Sequence, residues 1–133
     1  MRAVTFRYGV FHGIHSPVIP LQLRGPRGWK EVWVYVDSGA SVSILAEGEA
    51  HLLGLALTRG RLTYSTVGDG SSIPVYVHRL PIRIGAAQLT ARIGFSPRLG
   101  VGFNLLGRQD IFTHFDITFS DATRRVIFRP RPR

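Results

Sequence analysis

One acid in this chain sits where an acid can do chemistry. The segment Val34-Tyr35-Val36-Asp37-Ser38-Gly39-Ala40 runs an apolar, alternating stretch into an aspartate, a hydroxyl residue, a glycine and an alanine. That order suits a carboxylate on a tight loop at the end of a buried strand, a place for general acid or base work. Gly39 lets the backbone turn closely under the acid. Ser38 can give or take a hydrogen bond that fixes the loop. Ordinary strand-ending turns use the same residue types, so the surroundings of the loop decide its reading.

Two later segments supply those surroundings. Phe103-Asn104-Leu105-Leu106-Gly107-Arg108 is an apolar strand that breaks at glycine. Thr63 to Val77 places two β-prone arms around Gly68-Asp69-Gly70, which reads as a mobile hairpin. Turn signals at Gly25-Pro26-Arg27-Gly28, Gly85-Ala86-Ala87 and Ser120-Asp121-Ala122 separate short β-rich runs. The pattern predicts strands at 2–8, 16–24, 31–37, 61–67, 73–84, 88–95 and 125–129, with a hairpin at 120–124. In 31–37, Val32, Val34 and Val36 share one face and Trp33, Tyr35 and Asp37 the other. Helices are predicted over 46–54, closed by Gly54, and over 108–115, where Ile111, Phe112 and Phe115 would form a buried stripe.

In this order the chain resembles the retropepsin-like aspartic proteases, the retroviral proteases and their cellular relatives, over residues 16–128. The resemblance implies a mainly β domain: a closed or partly open barrel with a flap hairpin and one or two short helices. That domain would cover 1–129, with a loose basic Pro/Arg tail at 130–133. Asp37 would be the catalytic carboxylate, with Ser38, Gly39 and Ala40 supporting it. Val67, Gly68, Asp69 and Gly70 would form the flap over substrate. Leu105, Leu106, Gly107 and Arg108 would be the second signature, packed beneath the loop.

The chemistry implied is peptide-bond hydrolysis by a water held between two aspartates. One Asp-Ser-Gly occurs in this sequence. The resemblance therefore implies a homodimer, with one Asp37 from each protomer, acting on an extended peptide or protein without metal or organic cofactor. Viral members usually carry an aspartate where this chain has Ser41. That acid pairs with the arginine of the second signature, so Asp110 or a backbone carbonyl becomes the expected partner of Arg108.

Composition narrows the alternatives. The chain has 133 residues, 44% of them hydrophobic, enough for one core. No run approaches the ~18 apolar residues of a spanning helix, and no membrane role is expected. The absence of cysteine excludes disulfides and thiolate metal sites and fits the cytoplasm. His12 and His15 have a His-x-x-His spacing without an evident third ligand. The formal charge is +9, and Lys30 is the single lysine among 17 basic residues. Such a charge permits contact with nucleic acid, although no nucleic-acid motif is present. Two other readings follow: a dimeric binding module of the same fold without catalysis, and a basic nucleic-acid-binding β domain.

Overall fold

The computed structural model describes residues 2–99 and 104–132. Twelve strands and one α-helix are formed among them: β1 (Val4–Arg7), β2 (Gly9–Phe11), β3 (Ile14–Ser16), β4 (Val18–Gly25), β5 (Gly28–Val36), β6 (Ile44–Ala46), α1 (Glu47–Leu53), β7 (Arg61–Thr66), β8 (Ser72–Ile84), β9 (Ala87–Ser96), β10 (Asn104–Leu106), β11 (Phe115–Ser120) and β12 (Arg125–Pro130). A short 3-10 turn, Leu57–Arg59, leads into β7.

The main sheet runs β4-β5-β10-β6-β9-β8-β7. Gln22 and Leu23 of β4 pair with Arg83 and Ile82 of β8, so six strands close into a ring and β7 hangs outside it. This partly closed ring fits the closed or partly open barrel that the resemblance implies. Its interior is filled by alternate residues: Ile19, Leu21 and Leu23 of β4, Val32, Val34 and Val36 of β5, Leu80, Ile82 and Ile84 of β8. Burial of this apolar surface is the main force closing the ring.

β8 changes sides along its length. Ile73 and Val75, at odd positions, pack in a smaller cluster with Ile44. Leu80, Ile82 and Ile84, at even positions, face the main core. The first half pairs with β7 as the hairpin arm, and the second half with β9 as barrel wall. One strand therefore serves two apolar clusters on its opposite faces.

A second sheet, β1-β12-β11, joins both ends of the chain. Phe6 and Phe115 meet Phe128 edge to face, with centroids 5.8 and 5.5 Å apart. The hairpin predicted at 120–124 is present, since β11 and β12 pair from Phe115↔Pro130 to Ser120↔Arg125. β12 runs through Pro130, and the Arg131 N–H donates to the His114 carbonyl at 2.9 Å. The chain is thus tied two residues further than the loose tail expected from Pro130 onward. Pro130 is tolerated because β1 pairs only as far as Phe128.

The first helix is where the sequence places it. It ends at Gly54, whose φ of 80° is the left-handed cap that glycine accepts without strain. The second predicted helix is not formed. Residues 108–114 make a compact turn in which Arg108 accepts from the Ile111 and Phe112 N–H groups. Asp110 has φ 66°, which breaks the helical path, and Phe115 already belongs to β11. Ile111 and Phe115 are still buried as the stripe required. The β2–β3 hairpin, β6 and β11 have no counterpart among the predicted strands.

Candidate active site

β5 delivers Asp37 to one end of the barrel. Val32, Val34 and Val36 bury one face of the strand, so Trp33, Tyr35 and Asp37 share the other. The backbone is pinned at the handover. Val36 N–H donates to the Pro17 carbonyl at 2.8 Å, and Asp37 N–H to the Leu106 carbonyl at 2.9 Å. The chain then turns, with Ala40 N–H returning to the Asp37 carbonyl at 3.2 Å. Gly39 N–H donates to Asp37 Oδ1 at 2.8 Å and orients the carboxylate.

The Leu-Leu-Gly-Arg segment lies beneath this loop. β10 runs parallel to β5, with Leu105 beside Tyr35 and Leu106 beside Val36, and antiparallel to β6 at Ile44. Arg108 N–H donates to the Ala40 carbonyl at 2.9 Å and Gln109 N–H to the Ser41 carbonyl at 3.0 Å. Gly107 N–H donates to the buried Ser43 Oγ at 2.9 Å. A side chain on Gly107 would collide with the Val42 carbonyl and lie 2.9 Å from that of Ala40. The two segments approach so closely that only glycine fits.

Arg108 itself differs from expectation. Its backbone holds the loop, but its side chain is exposed and makes no ion pair among the described residues. Asp110 is engaged elsewhere: Arg92 donates to it from Nε and Nη2, both at 2.8 Å, and from its backbone N–H at 2.9 Å. These hydrogen bonds hold the Asp110 carboxyl down at about 2. A backbone carbonyl is not the guanidinium's partner among the described residues either. Phe103, expected to open the strand, lies outside them.

A cleft of about 360 Å³ joins the loop to the hairpin. Asp37, Gly39 and Ala40 of the loop, Leu105 of β10, and Val67 and Gly68 of the hairpin line it together. Asp69 and Gly70 sit further out and do not line it. Asp69 Oδ1 accepts from the Ser71 N–H at 2.8 Å and from its hydroxyl, bonds that lower its pKa and fix the tip. Ser38 is exposed and borders a separate hollow with Tyr8, Pro17, Tyr35 and Phe119. The four predicted groups thus meet at one place, except for Ser38, the outer hairpin residues Asp69 and Gly70, and the Arg108 side chain.

Sequence reasoning missed several contributors. Ser43 anchors Gly107. Asn104 accepts from Ala46 N–H at 2.9 Å and donates at 3.1 Å to the Trp33 carbonyl and to Glu49. It ties three neighbouring elements beside the loop. Phe11, His12 and Ile14 of the unforeseen hairpin wall another hollow beside Asp37 and Tyr35. His15 Nε2 meets the Arg124 guanidinium at 2.9 Å, a contact that takes up the lone pair a metal would need. No group of three His, Asp or Glu among the described residues could hold a metal ion. No helix among them is long and apolar enough to cross a membrane.

No protein-family model and no curated protein matches the chain. Solved structures do. A retropepsin-like aspartic protease from Rickettsia conorii is 18% identical, with 95% of this chain and 91% of that one covered at a TM-score of 0.64. The retroviral protease-like domain of Ddi1 from Leishmania major is 12% identical, with 90% and 96% covered at 0.62. EIAV protease in complex with the inhibitor HBY-793 is 18% identical, with 75% and 88% covered at 0.54. At these identities the likenesses show the fold: the chain has the fold of the retropepsin-like aspartic proteases.

Proposed function

We propose that the chain is an aspartic endopeptidase that works as a homodimer, each protomer contributing Asp37. The observation that carries this reading is the setting of Asp37. It directly follows a strand buried along one face, its carboxylate is oriented by Gly39, and it lines a cleft with Val67 and Gly68. Ser38, exposed at the edge of the loop, is the residue that would lock the two loops to each other.

In the dimer, two carboxylates share one water. Two acids so close do not both ionise, so one serves as base and one as acid, and they titrate as a coupled pair. The base takes a proton as the water oxygen bonds to the scissile carbonyl carbon. The acid gives its proton to the carbonyl oxygen. Collapse of the tetrahedral diol then breaks the C–N bond: the amine takes a proton from the carboxyl that received the water's, and a diol hydroxyl gives its proton to the other carboxylate. An extended peptide binds strand-like across the cleft, and the flap excludes water.

The test is Asp37→Asn, read by peptide cleavage and by sedimentation over a range of concentrations. The expected result is loss of cleavage with the dimer retained. A wild-type protein that cleaves as a strict monomer, or an Asp37→Asn variant as active as wild type, overturns the proposal.

A further inference from the structure

The outer face of the β1-β12-β11 sheet carries charge that the chain does not neutralise. Val4, Phe6, Phe115, Ile117, Val126 and Phe128 point inward to the core. Alternation therefore turns Thr5, Arg7, Arg125, Ile127, Arg129, Asp116, Thr118 and Ser120 outward, and Arg131 continues the series. Four guanidiniums share this face with one carboxylate, Asp116. That acid lies opposite Arg129 across the ladder and 3.9 Å from Arg131. The nearby Asp121, at the hairpin tip, accepts from the Tyr8 hydroxyl at 2.8 Å.

Arg7 and Arg125 are directly opposed across the β1–β12 ladder. Like charges in that position destabilise a sheet. The chain has another directly opposed pair, Arg79 and Arg92. There it supplies an acid of its own, Asp110, bonded to Arg92 at 2.8 Å. No carboxylate among the described residues lies within ion-pair reach of Arg7 or Arg125. The missing counter-charge is one a partner can bring.

We propose that this face binds the phosphate backbone of duplex nucleic acid without regard to sequence. Guanidinium groups grip phosphate oxygens in pairs. Thr5, Thr118 and Ser120 place hydroxyls between the arginines, and hydroxyl donors are common phosphate contacts. The face has no aromatic residue on which bases could stack, which argues against single strands. It also lacks an exposed large apolar residue that would anchor it in a lipid surface, Ile127 being half-buried. The face opposes the side from which Phe119 borders the Asp37 loop, so occupation leaves the cleft open.

The experiment measures binding of a labelled 20-base-pair DNA of arbitrary sequence between 50 and 200 mM salt. The slope of log affinity against log salt should fall by about 2.7 in Arg7→Gln/Arg125→Gln/Arg129→Gln, about 0.9 for each lost phosphate contact. A control losing the same charge elsewhere, Arg24→Gln/Lys30→Gln/Arg59→Gln, should keep the wild-type slope. The single variants Arg7→Gln and Arg125→Gln should each lose about one third of the effect. They should melt no lower than wild type, because the opposed pair is relieved. Asp37→Asn should bind the duplex as wild type does. The proposal fails if the control weakens as much as the face variant, if wild type does not bind, or if vesicles of phosphatidylserine and phosphatidylcholine bind this face more tightly than the duplex.

Discussion

The buried hydroxyl of Ser43 accepts a hydrogen bond from the Gly107 N–H across 64 residues of sequence. It is the point at which the Asp37 loop and the segment beneath it are fastened from inside. Ser43→Ala leaves that N–H without a partner, which costs about 1–3 kcal/mol. Urea unfolding should show a lowered midpoint with an unchanged slope, and an unchanged midpoint would refute the fastening role.

Gly107→Ala should be worse. The added methyl meets the Val42 and Ala40 carbonyls, which belong to backbone and cannot swing away. A loss of about 3 kcal/mol or more is expected, at the severe end for one substitution. Soluble yield and melting temperature read it directly. A variant that melts like wild type would mean the two segments can separate.

Asp110 links stability to acidity. Its folded pKa, about 2, lies below the ordinary carboxylate value because Arg92 binds its ionised form. The contribution is therefore complete above pH 4 and is lost as pH falls through 2. Arg92 is 46% exposed, so solvent screens the pair and only a small contribution is expected. Asp110→Asn should unfold at lower urea than wild type at pH 7, and the gap should narrow as pH falls toward 2 and close below it. A gap that persists at low pH would assign the effect to packing.

The tip of the β7–β8 hairpin should be separable from the fold. Asp69→Ala removes the acceptor that ties Ser71 back across the tip. The residue is exposed, so the melting temperature should stay within about 1–2 °C of wild type. On the endopeptidase reading proposed above, peptide cleavage should fall about three- to tenfold through poorer closure. Equal cleavage by both proteins would show that tip order is irrelevant to turnover.

Much of this was legible because periodicity and glycine punctuation are local. The valines of β5, the arms around Gly68-Asp69-Gly70, the end of α1 at Gly54 and the Leu-Leu-Gly-Arg crossing all follow from neighbours in sequence. The β2–β3 hairpin escaped because its turn places His12, rather than asparagine or aspartate, at φ 51° before Gly13. β6 is three residues long and exists only because β9 and β10 flank it. The stripe of Ile111, Phe112 and Phe115 fitted a helical period over too short a window. Tertiary packing buries two of those residues through a turn instead. Asp110 was one of two candidates, with a backbone carbonyl, for the partner of its near neighbour Arg108, whereas Asp110's own partner, Arg92, comes from another strand. Partner choice among many arginines is a long-range matter that spacing does not encode.

β8 has one mechanical consequence. It is a single unbroken strand whose far end is locked in the barrel by β4 and β9, and whose near end forms the hairpin with β7. At the changeover, His78 Nε2 lies 3.0 Å from the Leu57 carbonyl, like a bracket at the root of a cantilever. A load on the tip is therefore felt in the wall, and a slack wall lets the tip droop. Substitutions around His78, far from Asp37 along the chain, should set how stiffly the cleft is roofed.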